Sequence, residues 1–293
     1  MLIFILPLTV ILVVVATDMA VKRIYRYPRK PHEITPANFD ISFYEVRFLT
    51  RNNRRLYGWW IPARNEPPDG QPALLLVHGW GRNLERTMPY VRALHPLGYS
   101  LLAFDLRSHG SSDWESYPNM LKFSQDIRAA VDFLMTRGSE HPAPIGVVGL
   151  SVGGGAAIHA AANDARIRAV VAVGALAHPA DVMRFEFSRR GLPYVPAGWL
   201  MLQYLQLRMR VSFDSIAPEA VVRSAVAQIL LIHGEHDAVV PPEHGKRLQR
   251  AGRADSTRLW MVPGKAHSDC HDHPEFWDRV ASFLQETIPT GHT

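Results

Sequence analysis

The residues of this chain best suited to chemistry are a serine, an aspartate and a histidine, each beside a glycine-containing turn. Ser151 lies in Gly149-Leu150-Ser151-Val152-Gly153, directly after the apolar run Ile145–Leu150. A serine between a buried strand and a helix sits on a strained turn that lifts its hydroxyl above the sheet. A serine alcohol is a weak nucleophile. It needs a base, a carboxylate to orient that base, and donors for the developing oxyanion. Asp237 follows the run Ile229–Ile232 in His233-Gly234-Glu235-His236-Asp237 and is the candidate carboxylate. His267 follows Arg258–Val262 in Pro263-Gly264-Lys265-Ala266-His267 and is the candidate base. His78-Gly79-Trp80-Gly81 follows Leu74–Val77, and the backbone N–H groups of Trp80 and Val152 are the candidate oxyanion donors.

Other residues compete for these roles. Asp181 is the alternative acid. His267, Cys270, His271 and His273 with Asp269 and Asp272 are residue types that hold metals. A polar loop before a helix starting near Pro274 accounts for them more simply, so no metal is expected. His78, His233 and His236 read as structural. The Gly153–Gly155 run lacks the lysine of a phosphate-cradling loop, and no cofactor is expected.

The elements that must position these residues are legible as alternating patterns. Ile41–Thr50 and Leu56–Ile61, separated by polar residues, predict a hairpin-like start. Short apolar runs follow at Ala73–Val77, Tyr99–Phe104, Ile145–Leu150, Ala169–Val173, Ile229–Ile232 and Arg258–Val262. Runs without alternation suit strands buried on both faces of a parallel sheet. Helices are predicted over 84–95, 120–137, 152–163, 242–251 and 274–287. The result is an α/β class with a mostly parallel sheet and helices on both faces. The interval from Leu176 to Ala227 exceeds what one crossover helix requires, so a cap is expected over about 177–218. Within it, 199–211 is apolar on more than one face. One face should pack on the catalytic domain; the other could line an acyl pocket or meet a membrane.

These motifs, in this order and each at a strand end, resemble the α/β-hydrolase superfamily in its serine hydrolase branch. The resemblance covers His78 to His267 and extends from Phe39 toward the end. It includes Asp105-Leu106-Arg107-Ser108-His109-Gly110-Ser111-Ser112, which is similar to the loop after the fourth strand that shapes the site in such proteins. His-Gly-Trp-Gly departs from the longer glycine run of hormone-sensitive-lipase relatives, which disfavours that branch. The serine disfavours the branches whose nucleophile is a carboxylate. The resemblance implies a Ser151–His267–Asp237 triad cleaving carboxylic esters through an acyl-enzyme, with hydrophobic or lipid-like substrates. A thioesterase or a serine peptidase or amidase is the near alternative, and a non-catalytic binding protein the alternative of another class.

Composition sets the remaining bounds. The chain has 293 residues, 47% apolar and 20% charged, which suits a folded α/β domain rather than a disordered chain. A single cysteine excludes an intramolecular disulfide framework. The formal charge is +5. Its excess of base gathers at Lys22, Arg23, Arg26, Arg29 and Lys30 and again at Arg184, Arg189, Arg190, Arg208 and Arg210, so no nucleic-acid surface is expected. Met1 to Thr17 carry no charged side chain. At the length of a short bilayer span, and followed by basic residues with Tyr25 and Tyr27, residues 1–20 read as an uncleaved membrane anchor. A cleaved signal or a buried helix are the alternatives. Residues 21–38 read as a basic, proline-spaced linker, and 39–289 as the hydrolase domain. The basic flank places that domain on the cytoplasmic side by the positive-inside rule.

Overall fold

Alternation makes the first strand, and unbroken burial marks most of those that follow. In the computed structural model, β1 (Tyr44–Thr50) buries every second residue beyond its start and pairs antiparallel with β2 (Arg54–Ile61). By contrast β3 (Ala73–Val77), β4 (Ser100–Phe104) and β5 (Ile145–Leu150) are buried at every position. That pattern belongs to strands covered on both faces. With β6 (Ile167–Val173), β7 (Gln228–Gly234) and β8 (Thr257–Val262) they form one eight-stranded sheet of order β1-β2-β4-β3-β5-β6-β7-β8. Pairing is antiparallel at β1–β2 and β2–β4 and parallel elsewhere. The structure describes residues 15, 17–19, 21–23, 26, 28–63, 72–137 and 144–290.

Helices cover both faces, and adjacent strand residues point into different layers. Leu75 and Val147 join Phe123, Ile127 and Ile158 on one side. Leu74, Leu76 and Val148 join Val91, Leu94, Phe276 and Leu284 on the other. The helices are α1 (Met88–Leu94), α2 (Met120–Met135), α3 (Val152–Ala162), α4 (Pro179–Arg189), α5 (Trp199–Met209), α6 (Glu243–Ala251) and α7 (Phe276–Thr287). Asn119 caps α2 by accepting from Lys122 N–H, and its buried Met120, Phe123, Ile127, Val131 and Leu134 recur at the helical period. This architecture is the α/β-hydrolase fold.

Register brings the strand ends to one edge. Val77 lies opposite Phe104 and Gly149, Leu150 opposite Val173, Val173 opposite Ile232, and Gly234 opposite Val262. The turns that begin at His78, Ser151, Gly174, Glu235 and Pro263 therefore open side by side. Open α/β sheets bind ligands at this carboxyl edge.

Between β6 and β7 the chain runs through α4, α5 and two short helices, Phe213–Ile216 and Pro218–Val221. Leu202 and Leu205 of α5 are buried in the core, while Trp199, Leu200 and Leu207 are exposed. The double-sided apolarity of the sequence thus divides into an inner anchor and an outer face.

The N-terminal region differs from a plain spacer. Residues 1–14, most of the expected anchor, lie outside the described residues. Among the described residues no helix is long and apolar enough to cross a membrane. Asp18 accepts hydrogen bonds from Tyr117 and Tyr204, the latter at 2.7 Å, and Val21 is buried. The proline-spaced stretch lies against the catalytic domain: His32 Nε2 donates to Asp105 Oδ2 at 2.9 Å, and Asn83 Nδ2 donates to Pro31 O at 2.9 Å. Proline spacing and polarity predict only a linker there, because the partner of His32 is a single buried carboxylate, which leaves no periodic trace in sequence.

Candidate active site

Ser151 sits between β5 and α3 with φ 55° and ψ −122°, a conformation that L-residues rarely adopt. Such a backbone costs of order 1–3 kcal/mol and persists only where its surroundings enforce it. Here they do. Ser151 N–H donates to Val173 O at 2.8 Å, which ties the turn to β6. A Cβ on Gly149 would stand 2.5 Å from Gly153 O, and one on Gly153 would stand 2.6 Å from His78 O. Both glycines are therefore steric requirements of the turn. Val152 opens α3, so its N–H belongs to the first turn, which has no intrahelical acceptor and carries the positive end of the helix dipole.

The loop after β3 lies against the serine, since a Cβ on Gly79 would be 3.2 Å from Ser151 Cβ. Two neutral histidines hold this loop. Leu106 N–H donates to His78 Nε2 at 3.1 Å, so the His78 proton is on Nδ1, which donates to Gly79 O at 2.8 Å. Gly81 N–H donates to His109 Nε2 at 3.1 Å, so His109 carries its proton on Nδ1 and donates it to Arg107 O. Burial pushes His109 down to about 4, which keeps it a neutral acceptor.

Asp105 is the hub beneath both loops. Its carboxylate accepts from Leu84 N–H, Ser111 N–H and His32 Nε2. Burial opposes its charge, but the hydrogen bonds from His32 and from Ser111 N–H hold it below the ordinary carboxylate range. Burial likewise opposes charge on His32, and the hydrogen bond to Asp105 outweighs it and raises that imidazole. Arg107, fully buried, donates from Nε to Asp126 at 2.8 Å and from Nη1 to Glu115 at 2.9 Å, fixing the base of the same loop.

Asp237 and His267 meet across the turns that follow β7 and β8. His267 Nδ1 lies 2.7 Å from Asp237 Oδ2, and Asp237 Oδ1 accepts from the N–H groups of Val239 and Val240. Burial disfavours the Asp237 carboxylate, yet the nearby His233 imidazole and the hydrogen bond from His267 prevail and hold it well below its ordinary range. A carboxylate so held accepts the Nδ1 proton and leaves His267 Nε2 as the acceptor. His233 Nε2 donates to Val240 O at 2.8 Å and lies 3.3 Å from Asp237 Oδ2. It braces the aspartate from behind, the structural part read for it in the sequence.

Gly174, which no local motif singles out, completes the contact. It has φ 60°, and a Cβ there would be 3.1 Å from both Cε1 and Nδ1 of His267 and 3.5 Å from Asp237 Oδ2. It directly follows Val173, whose carbonyl holds Ser151. The pair and the serine therefore share one stem, the end of β6. Among the described residues no hydrogen bond joins Ser151 Oγ to His267. Such contacts commonly tighten only once substrate is bound.

The competing residues are engaged elsewhere. Asp181, on α4, receives Arg184 at 2.8 Å and Arg247 at 2.6 Å, while the His267 imidazole is held by Asp237. Cys270 is buried, and burial pushes its thiol up to about 12, so it is no rival nucleophile. No group of His, Cys, Asp and Glu among the described residues is arranged to hold a metal ion.

A serine on a strained strand-to-helix turn, at the carboxyl edge of this sheet, defines an α/β-hydrolase. The family model described as serine aminopeptidase, S33 matches residues 68–216. Over 266 residues the chain is 31% identical to protein Rv2307c of Mycobacterium tuberculosis, covering 88% of this chain and 83% of that protein. It is 24% identical to protein bem46 of Schizosaccharomyces pombe, over 86% of this chain and 80% of the relative. In fold it is similar to the Pyrococcus furiosus esterase Pf2001, with TM-score 0.71 at 24% identity, over 90% of this chain and 98% of the esterase. The chain belongs to the serine aminopeptidase S33 family and is a hydrolase of the α/β fold.

Proposed function

We propose that the chain is a serine hydrolase that cleaves carboxylic esters through an acyl-enzyme, with hydrophobic or lipid-like acyl groups as its preferred substrates. The observation that carries this reading is the 2.7 Å His267–Asp237 hydrogen bond, formed on the same strand edge as the strained Ser151 turn. Ser151 Oγ attacks the carbonyl carbon while His267 Nε2 takes its proton, and Asp237 stabilises the imidazolium. The N–H groups of Trp80 and Val152 hold the oxyanion. As the tetrahedral intermediate collapses, His267 returns the proton to the departing alkoxide. Water then attacks the acyl-enzyme with the same histidine as base, releasing the acid and restoring the serine. No cofactor enters this sequence.

The same machinery cleaves amides, and the description of the matching family favours a peptidase as the second reading. Residues 1–20 hold the chain at a membrane in the reading we favour, because an uncharged apolar stretch is followed by a basic flank.

A fluorophosphonate probe tests the chemistry. Wild-type protein should label covalently and turn over p-nitrophenyl esters, whereas Ser151→Ala should do neither, with turnover reduced by roughly 10⁶-fold. Labelling of the alanine variant at parental stoichiometry would mean another nucleophile. Faster turnover of aminoacyl amides or acyl-CoA than of any ester from acetyl to palmitoyl would replace the ester reading.

A further inference from the structure

Among the described residues, the cap carries an apolar face that is left exposed. On α5, Trp199, Leu200, Gln203 and Leu207 fall on one side of the helix, opposite the buried Leu202 and Leu205. Leu207 is 78% exposed and Leu200 55%. The turn before the helix adds Leu192 and Val195, at 51% and 68%. Apolar side chains this exposed and this close together mark an interaction surface. The exposed arginines of the cap outnumber the acids they meet: Arg184 pairs with Asp181, Arg189 and Arg190 share Glu186, Arg208 meets Asp18, and Arg210 follows at the end of α5.

We propose that this outer face of the cap docks on an anionic lipid bilayer. Two observations choose the occupant. The first is charge: arginines beside exposed tryptophan and leucine match a negatively charged headgroup layer over an apolar interior. The second is where the chain leads. Arg208 Nε and Tyr204 Oη of α5 both bind Asp18, at 3.1 and 2.7 Å, so α5 grips the chain just where its uncharged apolar N-terminal stretch ends. Val15 and Met19 are exposed in the same short segment. A bilayer that takes up residues 1–14 is therefore brought beside the cap arginines. The inference is independent of the reaction assigned to the site, because its test reads lipid contact rather than turnover.

The test uses the full chain in proteoliposomes, with an environment-sensitive fluorophore on Leu207→Cys; the native Cys270 is buried and serves as an unlabelled background. The control label sits on Asp255→Cys, just before β8 at the opposite edge of the sheet from the turn that bears His267. In vesicles of phosphatidylcholine with phosphatidylglycerol, nitroxide-bearing lipid should quench the Leu207 label several-fold more than the Asp255 label, with blue-shifted emission. Arg189→Ala with Arg190→Ala should reduce that quenching toward its value in pure phosphatidylcholine. Equal quenching of both labels by aqueous iodide, without lipid quenching, would overturn the proposal and leave the face in water. Blue-shifted emission shielded from both quenchers would also overturn it, since residues 1–14 or a second copy of the chain would then cover the face.

Discussion

The strand-edge turns and the cap are built on opposite principles. Around Ser151 the backbone itself is the structure: glycine contacts set positions to tenths of an ångström, and histidines bind main-chain groups. Gly153 faces His78 O, Gly174 faces His267, and Gly81 N–H is held by His109. The cap between β6 and β7 rests on a few apolar anchors, Leu202, Leu205, Phe213 and Ile216, with surface ion pairs such as Arg189–Glu186 around them. Exposed pairs of that kind contribute little. The first region tolerates no added atom, whereas the second exposes whole side chains. A site that must place reacting groups within hydrogen-bond reach needs the former; a surface that meets a partner of variable shape can be made of the latter.

The sharpest way to break this contrast is to move the acid from one region to the other. Asp237 belongs to the rigid edge and Asp181 to the cap. Asp237→Asn should leave the fold intact and lower kcat about 10⁴-fold, because the amide no longer favours the required imidazole tautomer. Asp181→Asn removes a partner of Arg184 and Arg247 and should change kcat only slightly. Single-turnover acylation by a p-nitrophenyl ester measures both. A mild Asp237→Asn with a damaging Asp181→Asn would reverse the assignment.

Most of the strand-edge turns are legible in the sequence, and the reason is physical. Buried strands are apolar at every position, and turns that end them need glycine, so the run Ile145–Leu150 leading into Ser151-Val152-Gly153 leaves a local signature. The strands β3 and β5 match the predicted runs Ala73–Val77 and Ile145–Leu150 residue for residue. What sequence could not supply was contact at a distance. His32 meets Asp105 across 73 residues, and Gly174 approaches a histidine that lies far along the chain. One polar residue among prolines, or one glycine after a strand, has many local explanations. The cap was half legible for a related cause: composition showed apolar residues on more than one face of 199–211, and only packing could say which face was inside.

That division within the cap predicts a second, smaller contrast. Leu202 is 2% exposed and packed in the core, and Leu202→Ala should cost about 2–5 kcal/mol of stability through lost burial and the cavity left behind. Leu207→Ser, on the outer face, should stay within about 0.5 kcal/mol. Urea unfolding with unchanged m-values separates the two. A Leu207→Ser loss as large as that of Leu202→Ala would mean that the outer face is buried in the folded protein and that the contrast fails.

The smallest effect links the two regions, because each is held by a neutral histidine. His109 accepts from Gly81 N–H beneath the loop beside Ser151, and His244 of α6 accepts from Ala177 N–H at 3.0 Å where the chain leaves β6 for the cap. Burial lowers His109 to about 4, and burial with the charge of Arg247 lowers His244 to about 4, from an ordinary 6.5. Above pH 6.5 both imidazoles are largely neutral folded or unfolded, and their contribution is constant. Below it the unfolded chain takes up protons that the folded chain refuses until about 4, so stability falls as pH falls across that window. By pH 5 each should cost about 2 kcal/mol relative to neutral pH. Carboxylates and other histidines titrate too, so the informative quantity is the difference between parent and variant. His109→Gln and His244→Gln, each keeping an acceptor, should each flatten the decline in Tm between pH 7.5 and 5 by a similar amount. A parent and variant with the same slope would mean that the histidine takes up its proton equally in the folded and unfolded chain, and that the loop it supports is held by something other than its acceptor nitrogen.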